Sequence, residues 1–201
     1  MNARPKLTAA TRLEPRSSDG SVPVWDPVVR LFHWTVVSGC VINLLRDDGD
    51  SIHRWVGYVV AAAVLIRLVW GFIGRRHARF SDFVPSPTVL RGYLVQLLHG
   101  REPRYLGHNP AGAVMIVALI GLLIAVSLSG WMMGLDRWWG NEALQEAHEW
   151  CAEAILYLAA VHVFAAVVES VRHRENLIAS MISGRKRKPA GTDIDHAADS
   201  D

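Results

Sequence analysis

His148 and His162 lie 14 residues apart within the apolar run AHEWCAEAILYLAAVHVFAAVV. Imidazole binds iron and other transition metals and titrates near neutrality, so it can serve either redox or proton chemistry. At about 100° per residue the two side chains fall on nearly the same face of a helix, and at about 1.5 Å rise they stand roughly 21 Å apart along it. A bilayer core is about 30 Å thick, so such a helix offers one imidazole near each membrane surface. Ionisable groups are costly inside a membrane and mark a functional site by default. The chemistry therefore turns on whether other segments supply partners at the same two depths.

Four stretches are long and apolar enough to span a bilayer, approximately residues 28–45, 53–74, 110–134 and 147–169. The chain has 201 residues, 51% of them hydrophobic, which leaves no room for a second sizeable soluble domain. Arg75, Arg76, Arg79, Arg91, Arg101 and Arg104 crowd the connection between spans two and three. Arg30, Arg172, Arg174, Arg185, Lys186, Arg187 and Lys188 make both tails basic near the membrane. The other two connections carry mainly acids: Asp47, Asp48 and Asp50 in one, and Asp136, Glu142 and Glu146 in the other. By the positive-inside rule both termini are expected on the cytoplasmic side of an inner membrane.

That topology sorts the histidines. His33, in RLFHW, stands at the inner start of span one, and His53, in SIHRWVGY, at the outer start of span two. Span four runs from outside to inside, so His148 is at the outer level and His162 at the inner. Depth pairs His33 with His162 and His53 with His148. Two imidazoles per site suit a low-spin haem b, which supplies its own four nitrogens and passes electrons. An isolated zinc site would need further ligands, and neither pair has a Cys, Asp or Glu at span depth. Cys40 and Cys151 form no CxxC or CxxCH pattern, which excludes covalent haem attachment and a dithiol site. His77, His99, His108, His173 and His196 read as bystanders outside the hydrocarbon.

Arg67 interrupts span two, 14 residues after His53, and reads either as the partner of a haem propionate or as a snorkelling side chain. Arg30 and Arg54 are weaker propionate candidates. Gly57, Gly130 and Gly134 could admit a porphyrin or serve close helix packing. Trp25, Trp34, Trp55, Trp131, Trp138, Trp139 and Trp150 fit an interfacial aromatic belt.

Around this framework, residues 1–22 are expected to form a disordered cytoplasmic tail without a cleavable signal, residues 23–188 the dihaem four-helix domain, and residues 189–201 a polar cytoplasmic tail. PSPTVLRGYLVQLLHG reads as an amphipathic interfacial segment and NLIASMIS as an interfacial turn. No structure is expected from Ala190 onward.

VWDPVVRLFHW, HRWVGY followed by IRLVWG, SLSGWMMG, and AHEW with AAVHVF together resemble the bacterial cytochrome b561 and nickel-hydrogenase cytochrome b subunit superfamily. The resemblance covers about residues 22–188. It implies an all-α integral membrane four-helix bundle binding two non-covalent b haems, with His33, His53, His148 and His162 as the iron ligands. It further implies electron transport between a periplasmic redox partner and membrane quinone. Hydrogenase-linked members tend to be longer, so this compact chain points to a small donor such as a soluble cytochrome c. Two alternatives stand beside it: a superoxide:quinone oxidoreductase, which the acidic outer connections disfavour, and a haem-binding anchor without turnover. Whether the chain is an enzyme in its own right is left open. Membrane lipid is an expected partner and nucleic acid is not.

Overall fold

A computed structural model describes residues 20–46 and 49–195. The N-terminal tail to residue 19, Asp47, Asp48, His196 and the last acidic residues lie outside the described residues. Four long helices form the membrane-spanning candidates: α1 (Pro27–Leu44), α2 (Ser51–Ile73), α5 (Pro110–Met133) and α6 (Glu142–Arg172). Each starts at an Asp or Asn whose side chain accepts a backbone N–H of the first turn. Asp26 accepts from Val29, Asp50 from His53, Asn109 from Gly112 and Asn141 from Leu144. Such caps satisfy donors that helix geometry leaves unpaired. Pro27 and Pro110 occupy first-turn positions, where a missing N–H costs nothing.

The helix that carries the fourth span extends past the apolar stretch of residues 147–169 at both ends. α6 begins at Glu142 and runs for 31 residues, about 46 Å, well beyond a bilayer core. The polar lead-in EALQE is composed of strong helix formers and is capped by Asn141, so hydropathy alone sets the boundary too late.

α1 packs on α2, α2 on α5 and α5 on α6. Val60, Val64, Leu123 and Ile155 form the centre of this contact, with Phe32, Val36 and Cys40 around them. Gly39 sets the closest approach, since a Cβ there would stand 2.4 Å from Val60 Cγ2. No more than 22% of the most apolar window of any spanning helix is buried, so these helices turn apolar side chains outward, as a lipid-facing bundle requires.

The polar side is more ordered than the sequence suggests. β1 (Ser21–Pro23) pairs antiparallel with β2 (Arg185–Arg187), bringing the two ends of the bundle to one face. The short helix α3 (Phe80–Phe83) and α4 (Pro87–Leu98) lie in the connection between α2 and α5. NLIASMIS, expected as a turn, contributes the helix α7 (Leu177–Ser183), capped by Asn176 and stopped by Gly184 at φ +79°. Residues from Ala190, expected to be unstructured, dock through Asp193 and Ile194. The Arg104 guanidinium requires them: only 4% exposed, it donates to both Glu175 oxygens and to Asp193. Ile194 completes the attachment by accepting from Leu106 N and donating to Arg104 O.

Arg104→Met should therefore leave Glu175 and Asp193 with backbone donors and Arg187 only, and lower the stability of the detergent-extracted protein by about 1–3 kcal/mol. Thermal unfolding of the variant checks this, and an unchanged midpoint would show that the network adds nothing.

Candidate functional site

Two of the four histidines meet directly. His53 is the third residue of α2, and its backbone N–H is bonded to the Asp50 cap at 2.7 Å, so the cap fixes its depth. Its ring Nδ1 lies 2.6 Å from the Arg46 carbonyl oxygen. A carbonyl can only accept, so Nδ1 carries a proton, and the neutral ring has its lone pair on Nε2. On α6, His148 Nδ1 lies 2.9 Å from Ser129 Oγ, whose own hydrogen is directed to the Val126 carbonyl at 3.1 Å. With that hydrogen on Val126, Nδ1 of His148 is the donor, and the neutral ring keeps its lone pair on Nε2. The two ring centroids are 6.3 Å apart with planes inclined by 53°. Two imidazoles sharing one metal, with bonds of about 2 Å, stand about 5–6 Å apart between centroids depending on the angle at the metal, so the observed separation is compatible with a shared ion.

Gly130 on α5 completes this level. A Cβ there would stand 3.1 Å from His148 Cε1, so the glycine makes room for the His148 ring. Gly134 and Gly57 meet no imidazole: their nearest neighbours outside their own turns are Tyr58 Oη and Asn43 Nδ2, each at 3.9 Å.

His33 and His162, from α1 and α6, lie within electrostatic reach of one another. Among the described residues no ring contact joins them, and α1 and α6 have no extensive direct packing. His33 stacks edge-on against Trp34 at 5.1 Å, and its Nδ1 is buried without a hydrogen-bond partner. Trp34 Nε1 in turn reaches the Met181 carbonyl of α7 at 3.4 Å.

Arg67 does not snorkel. It is 2% exposed, with its guanidinium 4.8 Å over the Phe80 ring and its Nη1 unpaired. Gly71, one turn on, lets Phe80 lie against α2, since a Cβ would fall 2.1 Å from that ring. A buried cation with an unused donor suits an acidic group such as a haem propionate. Arg30 is committed elsewhere, donating to the Ile182 carbonyl at the end of α7. Arg54 is exposed.

Sequence reasoning missed two members of this region. His108, taken as a bystander, sits between the rings of Trp25 and Phe83 at 4.6 and 4.7 Å, with Nδ1 buried and unpaired. Burial, then the charge of Lys186, pushes its imidazole down to about 3, so it is neutral. Lys186, taken as part of a basic tail, is 5% exposed and donates to the Leu106 carbonyl at 2.9 Å. Burial pushes its ammonium down to about 8. No regular spacing marks either residue, because both are placed by the fold of the connection rather than by a helix period. Trp25, expected at the interface, is likewise buried and donates to Ser180 Oγ.

The family model for prokaryotic cytochrome b561 matches residues 24–184. The chain belongs to this family. The cytochrome is thus a membrane-spanning electron-transport protein of b type, for which the family implies haem. It is 26% identical to a probable Ni/Fe-hydrogenase B-type cytochrome subunit of Bradyrhizobium diazoefficiens, over 83% of this chain and 86% of that protein. It is 27% identical to the corresponding probable subunit of Azotobacter vinelandii, over 82% and 88%. A probable Ni/Fe-hydrogenase 1 B-type cytochrome subunit of Escherichia coli strain K12 is 20% identical over 84% and 92%. No solved structure matches the chain. The match to the Bradyrhizobium protein runs over 217 residues, more than the 201 of this whole chain, so that relative carries insertions and this cytochrome is the more compact of the two.

Ser129→Ala removes the acceptor that orients His148 and should weaken haem retention at one site by about 10-fold. Haem transfer to excess apomyoglobin would measure it. Gly130→Val, which drives a side chain into the His148 ring, should abolish that site while the helical circular dichroism is preserved.

Proposed function

We propose that the cytochrome holds two b haems, one between His53 and His148 and one between His33 and His162, and carries electrons between a periplasmic oxidoreductase and membrane quinone. The observation that carries this reading is the pair of outer imidazoles, each with Nδ1 committed to a protein acceptor and Nε2 left free. Haem held between two imidazoles supplies one-electron chemistry without an open coordination position.

The chain's own groups do the rest. Arg46 O and Ser129 Oγ fix the tautomers of the outer ligands, raise their basicity and hold their planes. Arg67 and its unpaired Nη1 receive an anionic edge beside the inner pair. The arginine-rich connection and the β1–β2 ribbon share one face, which the positive-inside rule assigns to the cytoplasm. The outer pair then faces the periplasm, where the partner docks. The relatives' names favour a hydrogenase-type enzyme over a freely diffusing cytochrome c as that partner.

Purification in mild detergent, followed by a dithionite-reduced minus oxidised spectrum and haem per polypeptide, tests the reading. Two low-spin b haems per chain are expected. His148→Ala should keep one of them, and loss of both or of neither would count against two separate sites.

A further inference from the structure

Where α6 leaves its apolar span, three further side chains converge. Glu169 and His173 are four residues apart and share a helix face, and Glu102 reaches them from the connection between α4 and α5. One ligand-capable atom from each lies within 4.8 Å of the others. The Glu102 side chain is 3% exposed, and its Oε2 is buried without a hydrogen-bond partner. His173 Nε2 is also buried and unpartnered by a hydrogen bond, although it stands 3.1 Å from Glu169 Oε2.

The remaining carboxylate oxygens are already engaged. Arg172 holds Glu102 Oε1 at 2.8 Å, and the Tyr93 hydroxyl donates to Glu169 Oε1 at 3.3 Å. Glu169 thereby presents its second oxygen to His173, and Glu102 keeps its second oxygen buried and unpaired. This division between an oriented outer oxygen and a free inner one is how proteins present metal ligands. Arg172 pairs with Glu102, whereas Glu169 has His173 beside it, a cation only when protonated. Lys186, the other nearby cation, spends its ammonium on backbone carbonyls. A buried carboxylate oxygen left unpaired beside a second carboxylate is costly, and a divalent cation would relieve both.

We propose that Glu102, Glu169 and His173 form a binding site for one divalent transition-metal ion of the zinc class. The imidazole argues against magnesium and calcium, which take oxygen ligands, and the two carboxylates argue against a soft monovalent copper site. Three protein ligands also leave a position for water. The ion would fasten the α4–α5 connection to α6 two turns beyond His162, about 10 Å along the helix from Glu169. The site is independent of haem number.

The test uses untagged, full-length, haem-replete protein in detergent, stripped with chelator and dialysed against zinc chloride, with magnesium chloride as control. One zinc per chain is expected with micromolar affinity, together with a zinc-dependent rise in the melting midpoint. Glu102→Gln and His173→Ala should each weaken binding by about 10-fold or more, with the haem spectrum unchanged. Glu146→Gln, on the opposite end of α6, should leave it intact. No stoichiometric zinc in the wild type, undiminished zinc in both variants, or magnesium bound as tightly as zinc would overturn the proposal. If Glu102→Gln loses its haem spectrum, His173→Ala alone decides.

Discussion

An imidazole between helices can ligate a metal predictably only when one of its nitrogens is already committed, and much of this structure serves that commitment at His53 and His148. The acceptor for His53 is the carbonyl of Arg46, just past the end of α1, so the end of one helix orients a side chain of the next. The acceptor for His148 is Ser129, which is oriented by its own bond to Val126 within α5. At this level hydrogen bonds thus tie α2 to the end of α1, and α6 to α5, in addition to the apolar packing. In lipid this matters, because hydrocarbon chains compete with apolar side chains for every helix surface and confer no register.

The opposite level is built on charge and aromatic rings. Arg67, Phe80, Phe83, Trp25 and His108 form a continuous set of ring and cation contacts from α2 to the segment before α1. Trp70 adds a bond from α2 to the cap of α1 through Asp26 at 2.9 Å. The residue that starts one helix therefore also anchors its neighbour. Charges that would be costly in isolation are collected where α3, α4, α7 and the strands can enclose them.

The spanning helices were legible in the sequence because hydropathy, Asx caps and first-turn prolines agree there. The pairing of His53 with His148 was legible too, since antiparallel topology converts sequence position into depth. What resisted reading lies almost entirely on the polar side. Lys186 and Arg104 look like members of basic runs, and only the return of residues 185–195 onto the α4–α5 connection turns them inward. His108 has no periodic partner. Arg67 was visible as an anomaly, but its direction depended on Phe80 and Gly71, which no helical period connects to it. Local signals encode the elements, whereas these groups are placed by contacts between segments distant in sequence.

The β1–β2 ribbon carries a consequence for biogenesis. Ser21 and Arg185, whose side chains also bond, are 164 residues apart in the chain. At about 5–20 residues per second, the first strand emerges from the ribosome on the order of ten seconds before its partner exists. α1 must then rest in the membrane without the clasp that joins its leading edge to the rest of the cytoplasmic face. His162 is also made late, so any centre shared by His33 and His162 can be assembled only when synthesis is nearly finished. The order of translation thereby separates insertion of the first span from closure of the inner level.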